Sequence, residues 1–501
     1  MGLSWPVAGL RLSLPGESPT MRDLFFPQYG VLAAMASDNV SIHGAWASRW
    51  VFILAATGSA VGLGNIWKFP YMTGVYGGGA FVVMYLFCIA LVGVPIMLAE
   101  TLIGRRGRQS PVNAMKSLAI EAGASKHWSL AALMGMVAAL LILSFYSVVA
   151  GWSLDYIIGM GRGDFTGISA DGAGAAFGGL TSDPWRLTLW HSLFMLITAF
   201  VIAKGVVAGL ERSLRIMMPL LFVLLLVLLG YSFTTGHFRE GFDFLFHFDP
   251  SKVQDGILAA MGHAFFTLSV GVGSIMVYGA YMPKKASIGA TVLTVGVLDT
   301  LVALTAGLAL FPIVFAAGLE PGGGPGLMFV TLPIAFGNIA FGQVMGLIFF
   351  VLVAVAAWSS SISMLEPAVA YFVEKTGRGR AQVTAVLALL CWLVGMGTVL
   401  SFNLWAEAKF FVFAGDGFHL LQWGAEGGKT FFDSIDYLTS RILLPLGGLS
   451  FAMFAGWVLS RDAVREELSI RSPLLFNLAL WLIRVVAPIG VLIVFIAELS
   501  K

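Results

Sequence analysis

The sequence predicts an all-α polytopic membrane protein, on three observations. Apolar stretches of about 20 residues, the length that crosses hydrocarbon as a helix, recur between short polar segments. Hydrophobic residues make up 58% of the 501 and charged ones only 11%, where a soluble domain carries roughly a quarter. Two of the apolar stretches are broken by glycine-dense segments. Hydrocarbon tolerates non-helical backbone only where protein or a water-filled cavity surrounds it. A net charge of +2 offers no basic surplus to a nucleic-acid partner.

Residues 1–45 contain Pro6, Pro15, Pro19 and Pro27 and no apolar signal segment, so they read as a cytoplasmic tail. A second reading places the true start at Met35. Eleven spans follow, near 47–74, 80–104, 129–158, 187–205, 210–232, 254–281, 286–316, 340–372, 381–402, 433–460 and 474–498. The core runs over 46–460, with spans one to five in 46–232 and six to ten in 254–460; residues 461–501 supply a cytoplasmic loop, the eleventh span and a short C-terminus. Cys88 and Cys391 sit in apolar runs and read as buried small hydrophobes.

Loop charge sets the orientation. Arg105, Arg106, Arg108, Lys116, Lys126, Lys204, Arg212, Arg215, Lys284, Lys285, Lys375, Arg378, Arg380, Arg461, Arg465 and Arg471 fall on one set of loops. The opposite set is much poorer in basic residues. The rich set faces the cytoplasm, which places the N-terminus inside and Lys501 outside the membrane. The long outer loops are then 159–186, 233–253, 317–339 and 403–432. The third carries Pro321-Gly322-Gly323-Gly324-Pro325-Gly326, which reads equally as a re-entrant cap or a surface linker.

The break in span one is Gly58-Ser59-Ala60-Val61-Gly62-Leu63-Gly64-Asn65, and that in span six is Thr267-Leu268-Ser269-Val270-Gly271-Val272-Gly273-Ser274. Corresponding breaks in two halves point to a transporter site. Unwinding frees carbonyls to replace a cation's water shell and exposes helix-end N–H groups to a carboxylate. Gly62 and Gly64, lacking Cβ, let an anionic group approach. Helix packing through small residues is the competing reading for either break alone. Span seven holds Asp299, and span eight holds Ser359-Ser360-Ser361, with Glu366 before Pro367. An acid inside a membrane marks a functional site by default. No nucleophile elbow, phosphate-binding loop or zinc-protease motif occurs, and no polar segment is long enough for an ATPase domain. Uptake driven by an ion gradient is favoured, with a channel as the alternative.

Residues Trp46-Ala47-Ser48-Arg49, the run GSAVGLGNIWKFP at 58–70, FFTLSVGVG at 265–273 and SSSISMLEP at 359–367 resemble the neurotransmitter:sodium symporter family over residues 43–498. The resemblance implies an inverted five-plus-five helix repeat with broken helices 1 and 6, and the eleven-span bacterial amino-acid transporter type. It implies two Na+ sites. One uses the Ala60 carbonyl, Asn65, Thr267 and Asp299; the other uses the carbonyls of Gly58, Val61 and Ala356 with the hydroxyls of Ser359 and Ser360. The implied substrate site is Ser59, Gly62, Gly64, Ile142, Tyr146, Phe266, Ser269, Val272, Ser360 and Met364. Gly62 stands where monoamine transporters carry an aspartate, so an α-amino acid with a hydrophobic or aromatic side chain is the implied substrate. The implied outer gate pairs Lys68 with Asp436. The inner gate involves Trp46, Arg49, Tyr281 and Glu374, with His43 where relatives have a more basic residue. Gly209 and Pro219 resemble a motif that lets span five unwind. Chloride-dependent members carry serine at the position of Ala303, and some bacterial ones an acid; alanine is neither, and Asp299 from its shifted position supplies the missing charge, which implies chloride-independent transport with a possible proton antiport. A sodium-dependent amino-acid sensor that kept the fold and lost turnover is the alternative function.

Overall fold

A computed structural model describes residues 43–321, 326–414, 417–424 and 428–499. Expectations for residues 1–42, for 322–325 of the glycine-rich loop and for Lys501 fall outside these. The first span is two helices, α1 (Arg49–Ala60) and α2 (Gly64–Val75), bent by 57°. There follow α3 (Gly79–Gly107), α4 (Lys126–Arg162), α5 (Pro184–Ala203) and α6 (Val206–Thr235). The sixth span is again two pieces, α7 (Val253–Thr267) and α8 (Ser274–Ala280). Then come α9 (Ile288–Ala316), α10 (Gly342–Thr376), α11 (Arg380–Ser401), α12 (Phe431–Val458) and α13 (Pro473–Ala497). Among the described residues nine helices are long and apolar enough to cross a bilayer, ten with the bent pair. The sixth expected span is absent from that count because its interruption leaves neither half long enough alone.

The broken spans occupy the centre. α4 packs along α10, α7 and α8 both pack on α3, and α6 and α10 flank α1. Peripheral helices keep apolar residues outward at helical spacing, as lipid-facing helices do: Ile216, Val223 and Val227 on α6, and Val386, Leu389, Leu390 and Leu393 on α11. Polar clasps fix the scaffold. The buried His191 of α5 bonds the Ser147 hydroxyl of α4 at 3.0 Å and the Trp392 carbonyl of α11 at 3.2 Å. Arg186 grips Asp155 with two bonds of 2.7 Å, and Trp190 donates to the same carboxylate. At the far end of α3, Arg108 donates to the carbonyls of Ala280 and Met282, closing the C-terminus of α8.

One expected loop carries more structure than its sequence suggests. Within 403–432, β1 (Ala408–Ala414) and β2 (Gly417–Trp423) pair antiparallel in the register Ala408↔Trp423 to Ala414↔Gly417. Phe and Val supply strand propensity, and Gly417 directly follows the short connection. The loops 159–186, 233–253 and 317–339 hold the helices Ala170–Thr181, Phe238–Phe246 and Leu327–Gly337.

Candidate functional site

α1 stops because Val61 turns to ψ 105°, and the helix resumes at Gly64 as a π turn. α7 stops at Thr267, and the chain then passes through Ser269 (φ 51°), Gly271 (φ 89°) and Gly273 (φ 80°) before α8. A left-handed serine is uncommon and must be held. Here the Ser269 hydroxyl donates to the Ser59 carbonyl at 2.6 Å, pinning one break to the other. The buried Glu100 of α3 accepts the Gly271 N–H at 2.6 Å, giving that freed backbone donor a partner.

Between the breaks lies a narrow cavity of about 30 Å³. Ser59, Gly62, Gly64, Ile142, Tyr146, Phe266, Ser269, Val272, Ser360 and Met364 all line it, with Ala60, Leu63, Thr267 and Leu444. Its walls are mostly apolar, and its polar rim is hydroxyl and backbone. A Cβ on Gly62 would stand 2.7 Å from the Ser360 hydroxyl and 3.1 Å from that of Tyr146, so both hydroxyls would have to shift to admit one. Ser59 donates to Ser363 at 2.8 Å, and Ser363 donates to the Ser360 carbonyl at 2.8 Å, so the serines of α10 and α1 form one chain.

Two oxygen-rich clusters flank the cavity. In the first, the Asp299 carboxylate is wholly buried and accepts from Asn65 (2.8 Å), Tyr85 (2.8 Å) and Thr267 (3.0 and 3.1 Å). Asn65 also accepts the Gly62 N–H at 3.1 Å, so the ion cluster and the glycine at the cavity share one side chain. In the second, the Ser360 hydroxyl stands within 3.5 Å of the carbonyls of Gly58, Ser59 and Val61. One O–H serves one carbonyl well at a time, so oxygen lone pairs converge there beyond what the protein's own donors use. Ser359 donates to the Ala356 carbonyl at 2.9 Å beside it. Hard cations take such oxygen sets.

The gate residues lie at opposite ends. At one, the Trp46 N–H donates to the Tyr281 carbonyl (2.8 Å), and its indole donates to the Tyr278 carbonyl (3.1 Å). His43 meets Glu374 at 3.1 Å, and Ser110 and Asn113 donate to the same carboxylate. Arg49 instead donates to Thr291 at 3.0 Å. The Tyr281 hydroxyl donates to Glu366, which also pairs with Arg380. At the other end Lys68 and Asp436 both line a second cavity of about 310 Å³, separated from the first by Leu63, Tyr146 and Phe266. Among the described ion pairs none joins them. The Lys68 ammonium sits 4.7 Å from the centre of the Phe266 ring, and Asp436 accepts from Ser440. A flexible stem carrying a point charge can settle on an aromatic face where a guanidinium fork would hold a carboxylate.

Sequence reasoning missed Tyr85 and Ser363. Tyr85 sits in an unbroken apolar run, where its hydroxyl gives no pattern. Ser363 is signalled by its position one turn beyond Ser359 and Ser360, on the same face of α10. Among the described residues no group of three or more His, Cys, Asp or Glu is placed to hold a metal ion, so the candidate cation positions rest on hydroxyls, carbonyls, one amide and one carboxylate.

Comparisons with known proteins agree on a family. A family model described as the sodium:neurotransmitter symporter family matches residues 43–161 and 175–501. The chain is 35% identical over 456 residues to the uncharacterized sodium-dependent transporter YhdH of Bacillus subtilis (strain 168), covering 90% of this chain and 96% of that protein. It is 32% identical over 463 residues to an uncharacterized sodium-dependent transporter of Haemophilus influenzae, covering 91% and 98%. A crystal structure of MhsT in complex with L-phenylalanine is similar at a TM-score of 0.80 and 43% identity, over 91% of this chain and 99% of that one.

Proposed function

The chain belongs to the sodium:neurotransmitter symporter family, and from that premise we propose that it couples sodium to the uptake of a hydrophobic or aromatic α-amino acid by alternating access. The carrying observation is the apolar cavity between two unwound helices, with an oxygen cluster on each side. Gly62 carries no acidic side chain of its own into the break, so a substrate's own carboxylate supplies the negative charge at the helix end, which an amine lacking that carboxylate would not do. Ile142, Val272, Phe266 and Met364 give the side chain apolar walls, and the Met364 thioether adapts to its shape. The relative of known structure was crystallised with L-phenylalanine, which supports the aromatic assignment.

Two sodium ions fit the donors. One is held by Ala60, Asn65, Thr267 and Asp299, the other by Gly58, Val61, Ala356, Ser359 and Ser360. The basic loop residues support a cytoplasmic Trp46 end and an outward Asp436 end. From outside, sodium and substrate draw the two breaks together, and Tyr146 and Phe266 close above the cavity. Release requires Trp46 to leave the carbonyls of Tyr278 and Tyr281 and the start of α1 to swing away. Competition binding of the protein amino acids tests the substrate reading. Aromatic and large aliphatic ones compete, and only with sodium; binding that ignores sodium overturns it.

Two further results are expected. Asp299 supplies the negative charge of this site, and Ala303 one turn on supplies no anion ligand, so replacing chloride by gluconate leaves uptake unchanged. A several-fold loss contradicts this. Where Asp299 carries a counter-transported proton, uptake acidifies the medium outside loaded liposomes. At the inner gate, His43 Nε2 stands 3.1 Å from the Glu374 carboxylate. His43→Arg puts a permanent positive charge against that carboxylate, holds the inner gate closed more firmly and lowers the maximal uptake rate; an unchanged rate rules this pair out of the gate.

A further inference from the structure

Between α6 and α7 the chain crosses the Asp436 end of the bundle on a segment rich in phenylalanine, which supplies six of the sixteen residues from 233 to 248. The helix in this segment, Phe238–Phe246, is too short and too charged to span a bilayer. Its side chains fall in rows that repeat every fourth residue. Gly241 and Leu245 form the inward row. Both are buried, and a Cβ on Gly241 would stand 2.6 Å from the Pro312 ring of α9. Phe238, Phe242 and Phe246 form a second row. The rings of Phe242 and Phe246 lie 4.7 Å apart, and these residues are 46% and 37% exposed. Arg239, Asp243 and His247 form a third row beside it. The Arg239 and Asp243 side chains are highly exposed, and Asp243 and His247 line a cavity of about 930 Å³ next to the last turn of α2.

A row of exposed phenylalanines is unfavourable in water. This row continues surfaces that already face lipid. On α6, Ile216, Val223, Leu226 and Phe233 point outward at helical spacing, and the Phe233 ring stacks on that of Phe238 at 4.0 Å. At the other end, Phe248 pairs through its backbone with Gly78 at the foot of α3, where Val83 and Phe87 are exposed. Lipid therefore borders the phenylalanine row from both α6 and α3.

We propose that the helix Phe238–Phe246 is an interfacial membrane anchor. It lies along the leaflet on the Asp436 side, with its phenylalanine row among the acyl chains and its Arg239, Asp243 and His247 row in water over the cavity. A helix of this kind sinks its apolar side about 5–10 Å into the boundary between headgroups and acyl chains. On the side facing the bundle, Phe244 packs on Phe311 and Phe315 of α9, and a Cβ on Gly74 of α2 would stand 3.2 Å from its ring. The bilayer thereby braces the end of α2 through this helix. The anchor needs only the membrane-spanning fold and stands whether or not the chain couples sodium to uptake.

The test places a nitroxide spin label at Phe242→Cys and, separately, at Asp243→Cys. The full chain is reconstituted in liposomes of phosphatidylethanolamine and phosphatidylglycerol. Cys88 and Cys391 are buried, and unmutated protein taken through the labelling gives the background. Power saturation compares collisions with oxygen, which concentrates among acyl chains, and with a water-soluble nickel chelate. The oxygen-to-nickel ratio is expected to be several-fold higher at 242 than at 243. Equal ratios at the two positions overturn the anchor, whichever reagent they favour. Dipolar broadening at 242 that disappears on dilution with unlabelled protein shows a second copy covering the row, and also overturns it. If either variant does not fold, Phe246→Cys and His247→Cys, one turn on, are read the same way.

Discussion

Asp299→Ala lowers sodium-driven uptake by about 100-fold or more, the scale set by stranding several buried donors around one site. Asn65, Tyr85 and Thr267 all donate to this carboxylate, and Asn65 in turn receives the Gly62 N–H. Truncation therefore removes the only formal charge of the first ion cluster and frees the asparagine that fixes the break. Asp299→Asn separates the two effects. It keeps the shape and part of the hydrogen bonding but not the charge, so uptake survives with a half-saturating sodium concentration raised about ten-fold. Sodium titration of tracer uptake reads both variants. Uptake by Asp299→Ala within a few-fold of wild type would remove this carboxylate from the ion path.

Gly62→Ala weakens amino-acid binding by about 100-fold or more while leaving the fold in place. The added Cβ falls 2.7 Å from the Ser360 hydroxyl and 3.1 Å from the Tyr146 hydroxyl, inside van der Waals contact of both. It also occupies the approach that a substrate carboxylate needs to the backbone of the break. Affinity falls by about 100-fold or more, in line with displacing two partners of a polar site and blocking a third. The readout is thermal stability. In wild type, sodium raises Tm and amino acid raises it further, since each binds the native state. In Gly62→Ala the amino-acid increment disappears. An increment equal to wild type would mean that the substrate sits elsewhere.

The fold and the cavity were legible because glycine and asparagine inside an apolar run conflict with a continuous membrane helix. That conflict exposes both breaks, and relating them to a family brings Ile142 and Met364 from distant spans to the same wall. What stayed hidden depends on reach rather than pattern. Tyr85 is an aromatic residue in FVVMYLF until its hydroxyl is seen at Asp299. Lys68 reads as half of an ion pair, yet its stem carries the charge to Phe266. The hairpin of β1 and β2 lay in a segment read as loop, since strand alternation is weak where nearly every residue is apolar.

The most direct test of sodium-coupled amino-acid uptake is accumulation of labelled L-phenylalanine in proteoliposomes under an inward sodium gradient. The expected result is a transient rise above the external concentration that vanishes when potassium replaces sodium on both sides. Sodium-dependent binding with no accumulation would instead identify a sensor on a transporter fold, and accumulation independent of sodium would contradict the coupling itself.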